Sequence, residues 1–220
     1  MHPCYRLIAT RRSPVTSLHA LGAVCWAAGL AACAGAPARV SPGQAWPDQP
    51  SDYSDEYERW TRHDTLRDGV DMILDARATL LTTGWRAAFV SKQARLERLS
   101  PAETQEISRS EQQQADEYWE ITLVIATQQH DWNDLTKNQR SMWVMRLCGA
   151  GDRCVKPEPV HRDRRPADVL GHWFRGVGPF HEVYRLRFPK KTSTGEPLWE
   201  EGAPLSLRMG SVLGAIEMRW

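Results

Sequence analysis

The sequence predicts a mainly β protein: a single β-sandwich of about six to eight short strands, with a two-helix insertion near residues 85–116. Three observations carry that expectation. Segments with alternating apolar and polar residues recur along the chain, which is the period of a half-buried strand. Clusters of Gly, Pro, Asn and Asp separate them at short intervals. After the first strand the period changes to that of an amphipathic helix, and a helix-start signal follows.

Val70–Leu80 is the first strand. Val70, Met72, Leu74, Ala76, Ala78 and Leu80 fall on one face. Asp71, Asp75, Arg77 and Thr79 fall on the other, with Ile73 out of phase. Over residues 85–98, Trp85, Ala88, Phe89, Leu96 and Leu99 share one helical face. Ser100-Pro101-Ala102-Glu103 then combines an N-cap serine, a proline at the first helical position and a capping-box glutamate. A second helix over 101–116 has only Ala102, Ile107 and Ala115 as apolar residues, which places it on the surface.

Strands follow to the end. Trp119, Ile121, Leu123 and Ile125 alternate with Glu120, Thr122, Val124 and Ala126. Ser141–Leu147 presents Trp143, Met145 and Leu147 on one face. Val155–Arg162 is an edge strand, since Pro157 and Pro159 cannot donate to a ladder on both sides. Phe180–Phe188 aligns Phe180, Glu182, Tyr184, Leu186 and Phe188. Leu205–Met209 and Ala215–Trp220 are the last pair, with Gly210 and Gly214 around their turn.

The N-terminus has a different character. Arg6, Arg11 and Arg12 precede a mainly apolar run, Val15–Leu30, and no acidic residue occurs before Asp48. That is the layout of a secretory signal. The run is interrupted by Ser17 and His19 and falls short of the about 20 apolar residues that span a bilayer. It ends in Leu30-Ala31-Ala32-Cys33, which resembles the lipobox of bacterial lipoproteins. The resemblance implies cleavage before Cys33, with residues 1–32 as signal peptide, and acylation of Cys33 on its sulfur and its new amino group. Ala34, where enteric lipoproteins retained in the inner membrane carry Asp, favours the outer membrane by the same resemblance. An ordinary signal cut after Ala34 or Ala36 would instead discard Cys33. Residues 33–56, rich in Ala, Pro, Gly, Ser and Asp, read as a flexible tether, and 57–220 as the folded domain.

Residues 118–220 also resemble the small immunoglobulin-like or C2-like sandwiches of bacterial envelope proteins. The whole chain resembles uncharacterised proteobacterial envelope lipoproteins, through Trp132-Asn133-Asp134-Leu135 after a strand and a closing strand ending in Trp220. Neither resemblance carries an activity. Loss of the signal and acylation of Cys33 leave Cys148 and Cys154, separated by Gly149-Ala150-Gly151-Asp152-Arg153. In an oxidising envelope this pair forms a disulfide around a turn.

The signal takes three arginines and no acid with it, so the mature chain has a slight acidic excess. Nothing there points to nucleic acid. There is no Gly-x-Ser-x-Gly elbow, His-Glu-x-x-His helix or phosphate loop, so no catalytic residue, metal site or cofactor is assigned. Asp131, Trp132, Asn133 and Asp134 form one candidate binding loop; the ligand set is too incomplete for calcium. Trp173 and Phe174, in Gly171–Pro179, are either a second binding loop or a plug at one end of the sandwich. His161–Arg165 is a basic run that could meet phosphate. The expected function is a lipid-anchored, non-enzymatic binding or scaffolding module, held to the membrane through Cys33 and facing an envelope protein partner in the periplasm or at the cell surface. The alternative is a hydrolase of envelope polymers, which would bring His130, Asp131 and His172 into one cleft.

Overall fold

Alternation over residues 71–80 and 118–127 does build neighbouring strands. In the computed structural model, which describes residues 41–220, they lie at the centre of the larger of two antiparallel sheets. That sheet contains β1 (Thr61–Asp68), β2 (Asp71–Leu80), β3 (Tyr118–Thr127), β7 (Glu182–Pro189) and β6 (His161–Asp163), in the order β1-β2-β3-β7-β6. The smaller sheet runs β5-β4-β8-β9, from Cys154–Val155, Val144–Cys148, Ser206–Ser211 and Gly214–Arg219. Leu74, Ala76, Leu80, Ile121, Leu123, Ile125, Leu186 and Phe188 of the first sheet join Met145, Leu147, Leu207, Met209, Ile216 and Met218 of the second in one buried cluster. The described body is therefore mainly β, with two sheets sharing a core.

Among the described residues four α-helices accompany the sheets: α1 (Tyr53–Trp60), α2 (Thr83–Glu97), α3 (Pro101–Glu117) and α4 (Ala167–Gly171). The α2–α3 pair is the connection from β2 to its neighbour β3, and Ser100 and Glu103 form the expected capping box at the start of α3. It lies on the face of the larger sheet opposite the core. Glu120, Thr122 and Val124 of β3, which alternate with the core-facing residues, are consequently buried as well. The strand expected to be half-buried is covered on both faces.

Several expectations need correction. The tether was expected to reach residue 56, yet α1 begins at Tyr53, with Asp52 accepting a hydrogen bond from Ser54 N at its N-cap. Tyr53, Tyr57 and Trp60 fall on one face and are buried. Strand β1 was not anticipated. Val155–Arg162 is not one strand: β5 ends at Val155 in the smaller sheet and β6 begins at His161 in the larger. Pro157 and Pro159 lie in the crossing between them. Leu96 on α2 is 57% exposed, and Phe180 lies outside β7 at 86% exposure.

Cys148 and Cys154 are bonded to each other across the β4–β5 pair. The turn they close packs tightly: a Cβ at Gly149 would fall 1.9 Å from the Leu198 carbonyl oxygen, so only glycine fits. The signal segment, Cys33 and the expected tether up to residue 40 lie outside the described residues. Among the described residues no helix is long and apolar enough to cross a membrane.

Candidate functional site

The two loops singled out from sequence are used by the fold itself. Asp134 Oδ1 accepts from Ser141 Oγ at 2.7 Å, and Asn133 Oδ1 accepts from the Tyr184 hydroxyl at 2.7 Å. The Trp132 carbonyl accepts from Trp143 Nε1, and the Trp132 ring packs against the core. Only Asp131 is exposed with no side-chain partner among the described residues. In Gly171–Pro179 the two large aromatics are packed inward rather than presented to solvent. Trp173 and Phe174 are buried in an aromatic cluster with Tyr53, Tyr57, Trp85 and Phe89. The Tyr53 hydroxyl donates to the Trp173 carbonyl, and Lys92 Nζ lies 4.1 Å from the Tyr53 ring centre, over its face.

Three sizeable clefts are open among the described residues. The first, of about 770 Å³, lies between His161–Arg165 and the 177–183 segment. The second runs along β6, beyond the edge of the helical pair, with a volume of about 530 Å³. Leu81, Trp85, Phe89 and Phe174 supply its apolar lining, and His161–Arg165 and Arg185 its rim. Most of its charges are matched, Arg164 being the exception with no ion pair among the described residues. Arg165 meets Asp163 at 2.6 Å, Arg185 meets Glu120 at 3.0 Å, and Arg162 pairs with Glu182. Burial pushes the Asp163 carboxyl pKa up, but hydrogen bonds from Arg165 outweigh this and hold it below the usual carboxylate range. The basic run of the sequence is thus largely a set of internal ion pairs.

The third cleft, of about 850 Å³, lies beside β4. Trp143, Val144 and Met145 line one part of it. The 3-10 segment ending at Arg140 and the Lys156–Val160 crossing line the rest. Lys137, Arg140 and Lys156 line it, and no carboxylate does. Lys137 reaches Asp134 at 3.6 Å; Arg140 and Lys156 form no ion pair among the described residues. Asn138 braces the walls: its Oδ1 accepts from Val160 N at 2.9 Å and its Nδ2 donates to the Thr136 carbonyl. It does so at φ 53° and ψ −112°, outside the left-handed helical region that asparagine tolerates. Sequence reasoning missed this cleft. Its one signal was Pro157 and Pro159, read only as a bar to central pairing.

None of the three clefts is lined by His130 or His172. The β4 cleft offers positive charge, an apolar lining and strand backbone. No protein-family model matches the sequence. No curated protein matches it either. A solved structure of a protein of unknown function from Burkholderia pseudomallei K96243 is similar over 76% of this chain and 81% of its own. The identity is 10% and the TM-score 0.37, a likeness that carries no argument about function.

Proposed function

We propose that this chain is an envelope lipoprotein anchored through acylated Cys33, most consistent with the outer membrane, whose body is a non-enzymatic binding module for an envelope protein. The N-terminal layout and the Leu30-Ala31-Ala32-Cys33 resemblance support the anchor. The body is read as a β-sandwich of the immunoglobulin-like or C2-like kind, supported by its two antiparallel sheets and shared core. The observation that carries the binding reading is the β4 cleft, where Lys137, Arg140 and Lys156 face no lining carboxylate.

Two measurements test it. Cys33→Ser should move the protein from membranes to the soluble fraction and abolish metabolic palmitate labelling. Continued membrane association of that variant, with no label on the parent protein, overturns the anchor. Pull-down of the full chain from detergent-solubilised membranes should recover a partner that Arg140→Glu/Lys156→Glu loses and Arg164→Glu retains. Equal recovery by all three overturns the assignment of the cleft.

A further inference from the structure

The β4 edge is open where the cleft meets it. On one side β4 pairs with β8 from Val144↔Gly210 to Cys148↔Ser206. On the other, β5 covers only Leu147 and Cys148. The chain then leaves for the larger sheet: Glu158 N donates to the Arg187 carbonyl at 2.8 Å, and Val160 N to Asn138. Val144, Met145 and Arg146 therefore have no strand on that side. None of the three makes a backbone hydrogen bond outside the β8 ladder among the described residues. In an antiparallel pair every second residue turns its N–H and C=O away from its partner. Those groups face the cleft, and unpaired strand edges of this kind accept an added strand.

The chemistry of the walls selects what fits. Val144, 56% exposed, and the buried Trp143 and Met145 supply apolar surface. Arg140 and Lys156 supply unpaired charge, and Arg146, exposed on the strand itself, likewise has no ion pair among the described residues. Glu158 is exposed between the two prolines but does not line the cleft. We infer that the cleft takes an extended acidic segment of a partner protein, added as a strand beside Val144–Arg146, with its carboxylates against Arg140 and Lys156. This inference rests on the binding reading above and gives it a partner chemistry. A second copy of this chain is a poorer occupant, since a copy docked through the same edge would set cations against cations.

The test uses the full-length chain in detergent micelles and three blocked heptapeptides: alternating Glu and Val, alternating Lys and Val, and the Glu/Val peptide with its valine amides N-methylated. The Glu/Val peptide should bind and slow amide exchange within Val144–Arg146. The Lys/Val peptide should bind about tenfold or more weakly, as should the Glu/Val peptide to Arg140→Glu/Lys156→Glu. N-methylation should weaken binding comparably, because it removes the donors a strand contributes. Equal affinity for the three peptides, no binding of the Glu/Val peptide, or protection elsewhere overturns the inference. Protection of Val144–Arg146 without peptide, in a protein that sediments as a dimer, overturns it in favour of self-association. Loss of the pulled-down partner in the double variant without peptide binding keeps the binding module and rejects strand addition.

Discussion

Arg86 Nη2 donates to Glu120 Oε2 at 2.6 Å, and both side chains are 1% exposed. The pair joins α2 to the centre of the larger sheet. Arg86 Nε also donates to the Leu81 carbonyl and Nη1 pairs with Glu111 of α3, so one guanidinium ties both helices to β3. A lone charge at this depth is costly, whereas a hydrogen-bonded pair is tolerated. Arg86→Met leaves Glu120 only the more exposed Arg185 at 3.0 Å and Arg187 at 3.5 Å, and should destabilise the protein by about 3 kcal/mol, the low end for a broken buried pair. Arg86→Met/Glu120→Met should recover much of that loss, as read by denaturant unfolding. A double variant no more stable than the single one would refute the account.

Burial separates two apolar positions on α2. Phe89 stacks against Trp85 at 5.3 Å between ring centres and meets Trp173 at 4.6 Å, although it is only partly buried. Phe89→Ala should cost about 2–3 kcal/mol, below the range for a fully buried phenylalanine. Leu96→Ala, at a site 57% exposed, should cost less than about 0.5 kcal/mol by the same unfolding measurement.

Alkaline pH should expose the Tyr184 environment. Burial first, and then repulsion from Glu182, push its hydroxyl pKa from the ordinary 10.0 up to about 12. A raised folded-state pKa means stability that is complete below the unfolded value and lost as pH rises through the folded one. The loss should therefore fall between pH 10.0 and about 12. Phenolate absorbance should show a late-titrating group that Tyr184→Phe removes. That variant also leaves Asn133 without its hydroxyl partner and should cost about 1 kcal/mol at neutral pH.

Reduction should weaken the protein modestly. The Cys148–Cys154 bridge closes a very short loop, and its loss should cost about 2 kcal/mol in the chain-entropy account. Thiol titration in denaturant without reductant should find neither cysteine free, and the unfolding midpoint should fall when reductant is added.

What could be read from the sequence followed the strength of local signals. The capping box at Ser100 and Glu103, the hairpin between β8 and β9 and the Cys148–Cys154 pair were all legible, because each is decided by neighbouring residues. Strand β1 was not, since Thr61–Asp68 carries Leu66 as its one large aliphatic residue and owes its place to pairing with β2. Helix α1 left a signal that was passed over: Asp52 as a cap, then Tyr53, Tyr57 and Trp60 at helical spacing in a polar segment. Double-sided burial of β3 depends on where α2 and α3 land, and the β4 cleft on where the chain leaves after Val155. Both are decided by tertiary placement, and no local periodicity encodes them.

Trp220 Nε1 donates to the Trp60 carbonyl, and Arg62 Nε donates to the Arg219 carbonyl. Trp220 thus sits at the end of α1, whose eight residues extend only about 12 Å back to Tyr53. In connectivity the body is close to a ring. A short linker from Trp220 to Asp52 would close it, and the β8–β9 turn, where Val212 is 96% exposed, is a natural place to cut it open. Such a circularly permuted chain would keep both sheets and place its new ends away from the join.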